Sequence, residues 1–220
     1  MRALLVCAAP AANHVGLVAS QALASDLVIA VDGGARLCRQ ASVVPDLIVG
    51  DLDSVDADTL AGFSSDRTTL VEHPAEKDET DLDLAIREAR RAGASRIAVC
   101  AAFSGRLDHT LAAIGSLASA ADLCAELVDV GQQGWILSDR YRPRLDVGPL
   151  GATWSILALS EDVTVSALGV RWPLDCEPLP LLGSRGMSNI VTQAGASIEV
   201  HSGVALVMRP SLADIPASSP

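Results

Sequence analysis

Asp46-Leu47-Ile48-Val49-Gly50-Asp51-Leu52-Asp53-Ser54 is the stretch from which the fold is read. Its apolar run predicts a buried strand over 46–50, stopped by a glycine and followed by two carboxylates two residues apart. Carboxylates at the end of a buried strand are costly unless something positive meets them. The carboxyl ends of strands are also where α/β proteins collect ligands. One reading of Asp51 and Asp53 is therefore a metal–phosphate site, with a turn aiming both carboxylates into one crevice where oxygen ligands suit Mg²⁺. The other is an aspartate-rich turn in which Ser54 caps the following segment.

The segments around this stretch alternate. Strands are predicted over 3–9, over Leu27 to Val31 (ending at Asp32-Gly33-Gly34), over 69–71, over 96–102 and over 126–130. Helices are predicted over 14–24, over 35–41, from Thr80 onward and over 108–121. Thr80 and Asp83 have the N-cap to N3 spacing of a capping arrangement, and Arg87, Arg90 and Arg91 lie towards the helix C-terminus. The alternation predicts an α/β fold: an N-terminal three-layer, mostly parallel sheet domain over residues 1–130. Near residue 131 glycines and prolines begin to punctuate short segments such as TWSILAL, SIEV and VALVM. These predict a C-terminal all-β, sandwich-like domain over residues 131–220, its strands falling between about 134 and 210. The tail SLADIPASSP is expected to be a loose end.

Composition narrows the function. A formal charge of −11, from 27 acidic and 16 basic residues, argues against a nucleic-acid surface. It leaves anionic nucleotides open, because a metal ion can reverse the local field. Cys7, Cys38, Cys100, Cys124 and Cys176 form no CxxC pair, so neither a disulfide framework nor a structural zinc site is expected. Free thiols fit a reducing compartment, and the expected setting is cytoplasmic. Pro10 and Asn13-His14 interrupt the first apolar run, which reads as a strand rather than a targeting segment. No run approaches the roughly 20 apolar residues that span a membrane.

Three further groups fall after strands or at a helix entrance. Lys77-Asp78-Glu79-Thr80-Asp81 places Asp78 and Asp81 three apart, able to share a side; the acidity equally complements a helix N-terminus. Lys77 can contact phosphate or remain solvated. In Ser104-Gly105-Arg106-Leu107-Asp108-His109, glycine permits close approach and the Arg106 fork suits phosphate oxygens. Asp108 can orient Arg106 and His109 can donate, or the set is a structural Arg–Asp pair with a capping histidine. The glycines of Asp32-Gly33-Gly34 can offer backbone N–H groups to an anion, as an ordinary turn also would. Neither GxGxxG nor GxxxxGK[ST] is present, which weakens dinucleotide and P-loop chemistry.

VDGG at 31–34, GDLDS at 50–54, KDETDLDLAI at 77–86, GRLDH at 105–109, GVRWPL at 169–174 and RGMSN at 185–189 together resemble the thiamine pyrophosphokinase family. The landmarks cover nearly the whole chain in family order. The resemblance implies an α/β catalytic domain, a β-sandwich-like domain that binds thiamine and dimerises, and sites shared in a homodimer. It implies transfer of the terminal diphosphoryl group of ATP to the hydroxyl of thiamine, giving thiamine diphosphate and AMP. By resemblance, Asp51, Asp53, Asp78 and Asp81 take the acidic catalytic and Mg²⁺-associated positions. Asp32, Gly33, Gly34, Ser54, Lys77, Thr80, Gly105, Arg106, Asp108 and His109 would help bind Mg-ATP. Trp172, Ser188 and Asn189 match positions near the thiamine pocket; read alone, Trp172 is equally a core anchor and Ser188-Asn189 a turn. Two stretches depart from the family pattern: CAAFS at 100–104 is less glycine-rich, and AAPAANH at 8–14 lacks an early glycine. A pyrophosphokinase for another small alcohol is one alternative, and a catalytically weak thiamine- or nucleotide-binding regulatory module is the other. Neither nucleic acid nor membrane is an expected partner.

Overall fold

The structure, a computed structural model, describes residues 1–9, 13–63, 67–74, 78–103 and 106–210. It divides into two compact units, Met1–Ser116 with Leu127–Val130, and Leu117–Glu126 with Gly131–Pro220.

The first unit runs β1 (Arg2–Val6), α1 (His14–Leu23), β2 (Leu27–Val31), α2 (Gly34–Gln40), β3 (Leu47–Gly50), α3 (Ala57–Ala61), β4 (Thr69–Glu72), α4 (Asp81–Arg91), β5 (Arg96–Cys100), α5 (Leu107–Ser119) and β6 (Glu126–Asp129). The strand order is β6-β5-β1-β2-β3-β4. The β5-β1-β2-β3-β4 pairs are parallel throughout. Consecutive buried residues along β1, β2, β3 and β5 mean that both sheet faces are covered. One face packs Leu4, Val6, Val28, Ala30 and Ile48 against Val18 of α1 and Ala35 and Cys38 of α2. The buried stripe Leu82, Ala85, Ile86 and Ala89 of α4 packs on β1, β2 and β3 outside that cluster, which places α4 on the other face. The chain therefore forms the expected helix–sheet–helix layers.

Two strands are shorter than expected. The segments 3–9 and 96–102 stop at Val6 and Cys100, where the parallel pairing of β1 with β5 ends. Just beyond, Ala101 turns into the left-handed region with φ 53°, which no continuing strand allows. Helix α3 was not expected, and its N-cap is Asp56, whose carboxylate accepts from Thr59 N–H. Ser54 therefore does not cap that segment.

The second unit holds β7 (Gln132–Ser138), β8 (Arg144–Asp146), β9 (Thr153–Ala158), β10 (Thr164–Leu168), β11 (Leu174–Pro178), β12 (Gly186–Ile190), β13 (Ser197–Ser202) and β14 (Val204–Pro210). Their orders are β12-β9-β14-β7 and β11-β10-β13-β8. Inward residues alternate along β9 and β10. Trp154, Ile156, Ala205 and Val207 of one sheet and Val165, Ala167, Ile198 and Val200 of the other share a single core, so this unit is a β-sandwich. The guanidinium of Arg209 lies 5.2 and 5.3 Å from the Trp135 and Trp154 rings. Among the described residues no helix is long and apolar enough to cross a membrane. All five cysteines are free. The expected loose tail, 211–220, lies outside the described residues.

Candidate active site

Strand order locates the cleft. From β1 the chain proceeds through β2, β3 and β4 to one side, while β5 pairs on the other. The strand order therefore reverses at the carboxyl ends of β1 and β5, the usual ligand position in such sheets. A cleft of about 530 Å³ lies there. Its walls are Cys7 to Ala9 after β1, Val31 of β2 and Asp32 after it, Asp51 after β3, Ala101 and Ala102 after β5, and Glu79 to Leu82 at the start of α4. His109, Ala112 and Ala113 of α5 complete it.

The ends of β2, β3 and β5 each turn by placing an ordinary residue in the left-handed region: Asp32 (φ 45°), Leu52 (φ 61°) and Ala101 (φ 53°). Each costs on the order of 1–2 kcal/mol relative to a right-handed conformation. At Leu52 the turn brings Asp51 and Asp53 round together, and Asp51 Oδ1 accepts from Asp53 N–H at 3.2 Å. Gly50 makes room for Asp32: a Cβ there would lie 2.9 Å from the Asp32 Cβ. The carboxylates of Asp32, Asp51 and Asp53 consequently converge, with oxygens within 4.8 Å of one another. At that spacing each pair repels by about 1 kcal/mol in bulk water, and by about four times that at an effective dielectric near 20.

Asp32 is perturbed by its surroundings. Its Oδ1 is buried without a hydrogen-bond partner. Burial raises its pKa, Gly33 N–H and Ser54 hydroxyl pull the other way, and the charges of Asp81 and Asp51 raise it further. An orphaned carboxylate oxygen facing two more carboxylates is an all-oxygen donor set that fits Mg²⁺. The expected metal set was Asp51, Asp53, Asp78 and Asp81. The structure joins Asp32 to Asp51 and Asp53, places half-buried Asp81 on the cleft wall, and leaves Asp78 exposed before the helix cap. The signal for Asp32 was available as an aspartate directly after a strand, but its convergence with Asp51 is a property of the parallel β2–β3 register.

The other expected residues have defined surroundings. Thr80 caps α4: its hydroxyl accepts from Asp83 N–H at 3.2 Å, while Asp83 Oδ2 accepts from Thr80 N–H at 3.1 Å. Gly34 has a packing reason, since a Cβ there would lie 1.9 Å from the Val6 carbonyl oxygen. Gly33 is buried beside it, with Ala8 Cβ at 3.1 Å from its would-be Cβ. Exposed Ser54 donates to Asp53 Oδ1 at 3.0 Å. Arg106 grips Asp108 through Nε (3.2 Å) and Nη2 (2.6 Å), which holds the Asp108 carboxyl down to about 2. His109 is exposed on the cleft wall. Lys77 and Gly105 lie outside the described residues.

Trp172, Ser188 and Asn189 belong to the second unit. Trp172 is 52% exposed, which removes it from the core, and the Arg171 guanidinium lies 5.6 Å from its ring. Asn189 is 6% exposed and brackets Trp172: its amide donates to the Trp172 carbonyl at 2.7 Å and its oxygen accepts from Trp172 N–H at 3.1 Å. Ser188 (φ 55°) lies where β12 shifts register against β9, and its N–H donates to Ser155 Oγ at 3.1 Å.

The family model "Thiamin pyrophosphokinase, catalytic domain" matches residues 19–128, and "Thiamin pyrophosphokinase, vitamin B1 binding domain" matches residues 142–205. The chain belongs to the thiamine pyrophosphokinase family. A curated relative, the thiamine pyrophosphokinase of Bacillus subtilis (strain 168), is 25% identical over 187 residues, covering 83% of this chain and 86% of the relative. The solved thiamine pyrophosphokinase of Bacillus subtilis superposes with a TM-score of 0.78 at 21% identity, covering 96% of this chain and 99% of that one. That of Geobacillus thermodenitrificans gives 0.76 at 24% identity, covering 97% and 99%. The Candida albicans structure gives 0.75 at 15% identity, covering 96% and 90%. At these identities the structural likenesses speak for the fold, and they extend it to members whose sequences have diverged widely.

Proposed function

We propose that this chain is a Mg²⁺-dependent thiamine diphosphokinase, which transfers the terminal diphosphoryl group of ATP to the primary hydroxyl of thiamine. A bond forms between the thiamine oxygen and the β-phosphorus. The bond from the β-phosphorus to the oxygen that bridges it to the α-phosphorus breaks, AMP leaves with that oxygen, and the hydroxyl proton is released. The observation that carries this reading is the cluster of Asp32, Asp51 and Asp53 with its orphaned oxygen, in a chain of this family.

Those three carboxylates would hold the metal ion. When bound, Mg²⁺ supplies positive charge that offsets the polyphosphate and the charge developing on transfer. The chain's own residues then act by position. Leu52 holds Asp51 and Asp53 at one crevice, and Gly50 admits Asp32 to it. Asp81 adds negative charge on the facing wall, which suits the cationic thiazolium. Arg106 presents a guanidinium already aligned by Asp108, a fork suited to phosphate oxygens. Exposed Trp172 offers an aromatic surface for a cation, worth roughly 0.5–1 kcal/mol at an exposed site. Arg171 sits against that ring, so the thiazolium would take the face that Arg171 leaves uncovered.

The proposed working form is a cytoplasmic homodimer. Free cysteines support the compartment, and exposed Trp172, Leu181, Leu182 and Met187 support burial of this unit's surface against a second copy. The test is a panel of small alcohols incubated with ATP and Mg²⁺, with products resolved by ³¹P NMR. Thiamine should give equimolar AMP and thiamine diphosphate. Equal AMP formation with another alcohol would transfer the assignment to that acceptor, and ADP as the product would sink diphosphoryl transfer altogether.

A further inference from the structure

The connection after β1 is a wall of the cleft, formed by Cys7, Ala8 and Ala9, and it is tied down at three kinds of contact. Cys7 N–H donates to the Cys100 carbonyl at 2.9 Å and Ala9 N–H to the Ala101 carbonyl at 2.8 Å. Ala8 rests on Gly33, directly beside Asp32. The third contact is a side chain from the next helix. His14 Nδ1 lies 2.9 Å from the Ala9 carbonyl oxygen, and His14 Nε2 lies 2.5 Å from Asp129 Oδ1. Both residues are buried, His14 at 2% exposure.

The partner of Nδ1 fixes the proton on that nitrogen. A carbonyl oxygen can only accept, so Nδ1 must donate. Asp129 Oδ1 accepts from Val130 N–H at 2.7 Å and also faces His14 Nε2. The other oxygen, Asp129 Oδ2, is buried without a hydrogen-bond partner. His14 opens α1 as its buried first residue. The first turn of α1 contains no acidic residue and Asn13 provides no side-chain cap. Asp129, reaching in from the end of β6, supplies a carboxyl group there. A buried His–Asp pair is a weak source of net stability. What this one achieves is the placement of a single backbone carbonyl in the cleft wall.

We propose that His14, held by Asp129, is a positioning residue for the nucleotide, clamping the Ala8–Ala9 wall beside the carboxylate cluster. The proposal rests on the nucleotide reading of the cleft. Cys7 provides a readout independent of that reading. Burial, with the charges of Asp129 and Asp81 behind it, pushes its thiol up to about 12 and keeps it protonated. Cys7 is half-buried on the cleft wall, and release of that wall would expose it further to alkylation.

The experiment compares His14→Ala, Asp129→Asn and a packing control, Val18→Ala, in the fully buried core of α1. Calorimetry gives the Kd for Mg-ATP, steady-state kinetics separate KM from kcat, and peptide mass spectrometry follows iodoacetamide labelling of Cys7. His14→Ala should raise the Kd and KM for ATP about tenfold, the scale of one lost hydrogen bond to a charged group. Turnover at saturating ATP should stay within about threefold and Cys7 labelling should quicken. Asp129→Asn, which keeps a polar partner for Nε2, should fall between His14→Ala and the unmodified protein. Val18→Ala should change none of these while lowering Tm. Unchanged ATP affinity in His14→Ala overturns the proposal, as does an equal loss in Val18→Ala at matched Tm. If the unmodified protein binds no Mg-ATP, the nucleotide reading fails instead, and unchanged Cys7 labelling in both His14→Ala and Asp129→Asn would show that His14 holds no wall. Should His14→Ala not fold, Asp129→Asn and His14→Gln carry the same comparison.

Discussion

At Asp32 the chain accepts three unfavourable terms together: a left-handed backbone, burial that favours the neutral acid, and an oxygen with no donor. Its folded-state pKa lies above the unfolded one, so the folded chain binds this proton more tightly. Stability therefore falls as pH rises from the ordinary carboxylate range through the raised value, and the loss persists above it. A divalent cation at the cluster would relieve that penalty. Asp32→Asn keeps a residue that tolerates left-handed backbone and removes the buried charge. In metal-free protein it should raise Tm by about 2 °C at neutral pH and flatten the acid-side slope, as read by calorimetry across pH. In the unmodified chain, Mg²⁺ at 100 times its Kd should add about 2.7 kcal/mol of stability, and this increment should vanish in Asp32→Asn. A variant that melts lower and keeps its metal response would exclude Asp32 from the cluster's chemistry.

At the scale of elements, α4 connects the site to the core. Its apolar stripe packs on β1, β2 and β3, and its first turn forms a cleft wall. The reciprocal Thr80–Asp83 cap fixes where that turn begins. Thr80→Ala should cost about 1 kcal/mol and, because the turn presents Asp81, should lower kcat/KM more than a surface alanine elsewhere on α4. Denaturant unfolding and steady-state kinetics together check this. An unchanged midpoint would mean that the cap carries no stability. This helix was legible in the sequence because apolar spacing, an N-cap pair and a basic last turn all agreed. β2 was legible for a similar reason, a five-residue apolar run stopped by Asp32-Gly33-Gly34. α3 was not: five residues carry too little periodicity, and Asp56 rather than Ser54 caps it. The overlong strands at 3–9 and 96–102 share one cause, since their apolar residues continue past Val6 and Cys100 into the cleft wall. Apolarity there reflects a cleft-lining loop rather than a strand.

At the scale of the whole molecule, the alternating first half and the punctuated second half announced two kinds of unit, and the structure has both. The acidic landmarks were visible in the sequence as separate motifs. Their grouping was not, because it depends on which strand lies beside which: β2 next to β3 brings Asp32 to Asp51 across 19 positions of sequence. His14 and Asp129 were invisible for the same reason, one at a helix start and the other at a strand end 115 positions away. Trp172 was open between core anchor and binding surface, and its exposure decides against the core. The central claim is that the clustered carboxylates hold the metal that accompanies ATP. Mn²⁺, which shares the preference of Mg²⁺ for oxygen ligands, makes that binding visible by electron paramagnetic resonance. Titrated in the presence of a non-hydrolysable ATP analogue, the unmodified protein should bind Mn²⁺ tightly, and Asp51→Asn should weaken it at least about tenfold. Undiminished Mn²⁺ binding by a variant with Asp32, Asp51 and Asp53 all changed to Asn would contradict the account.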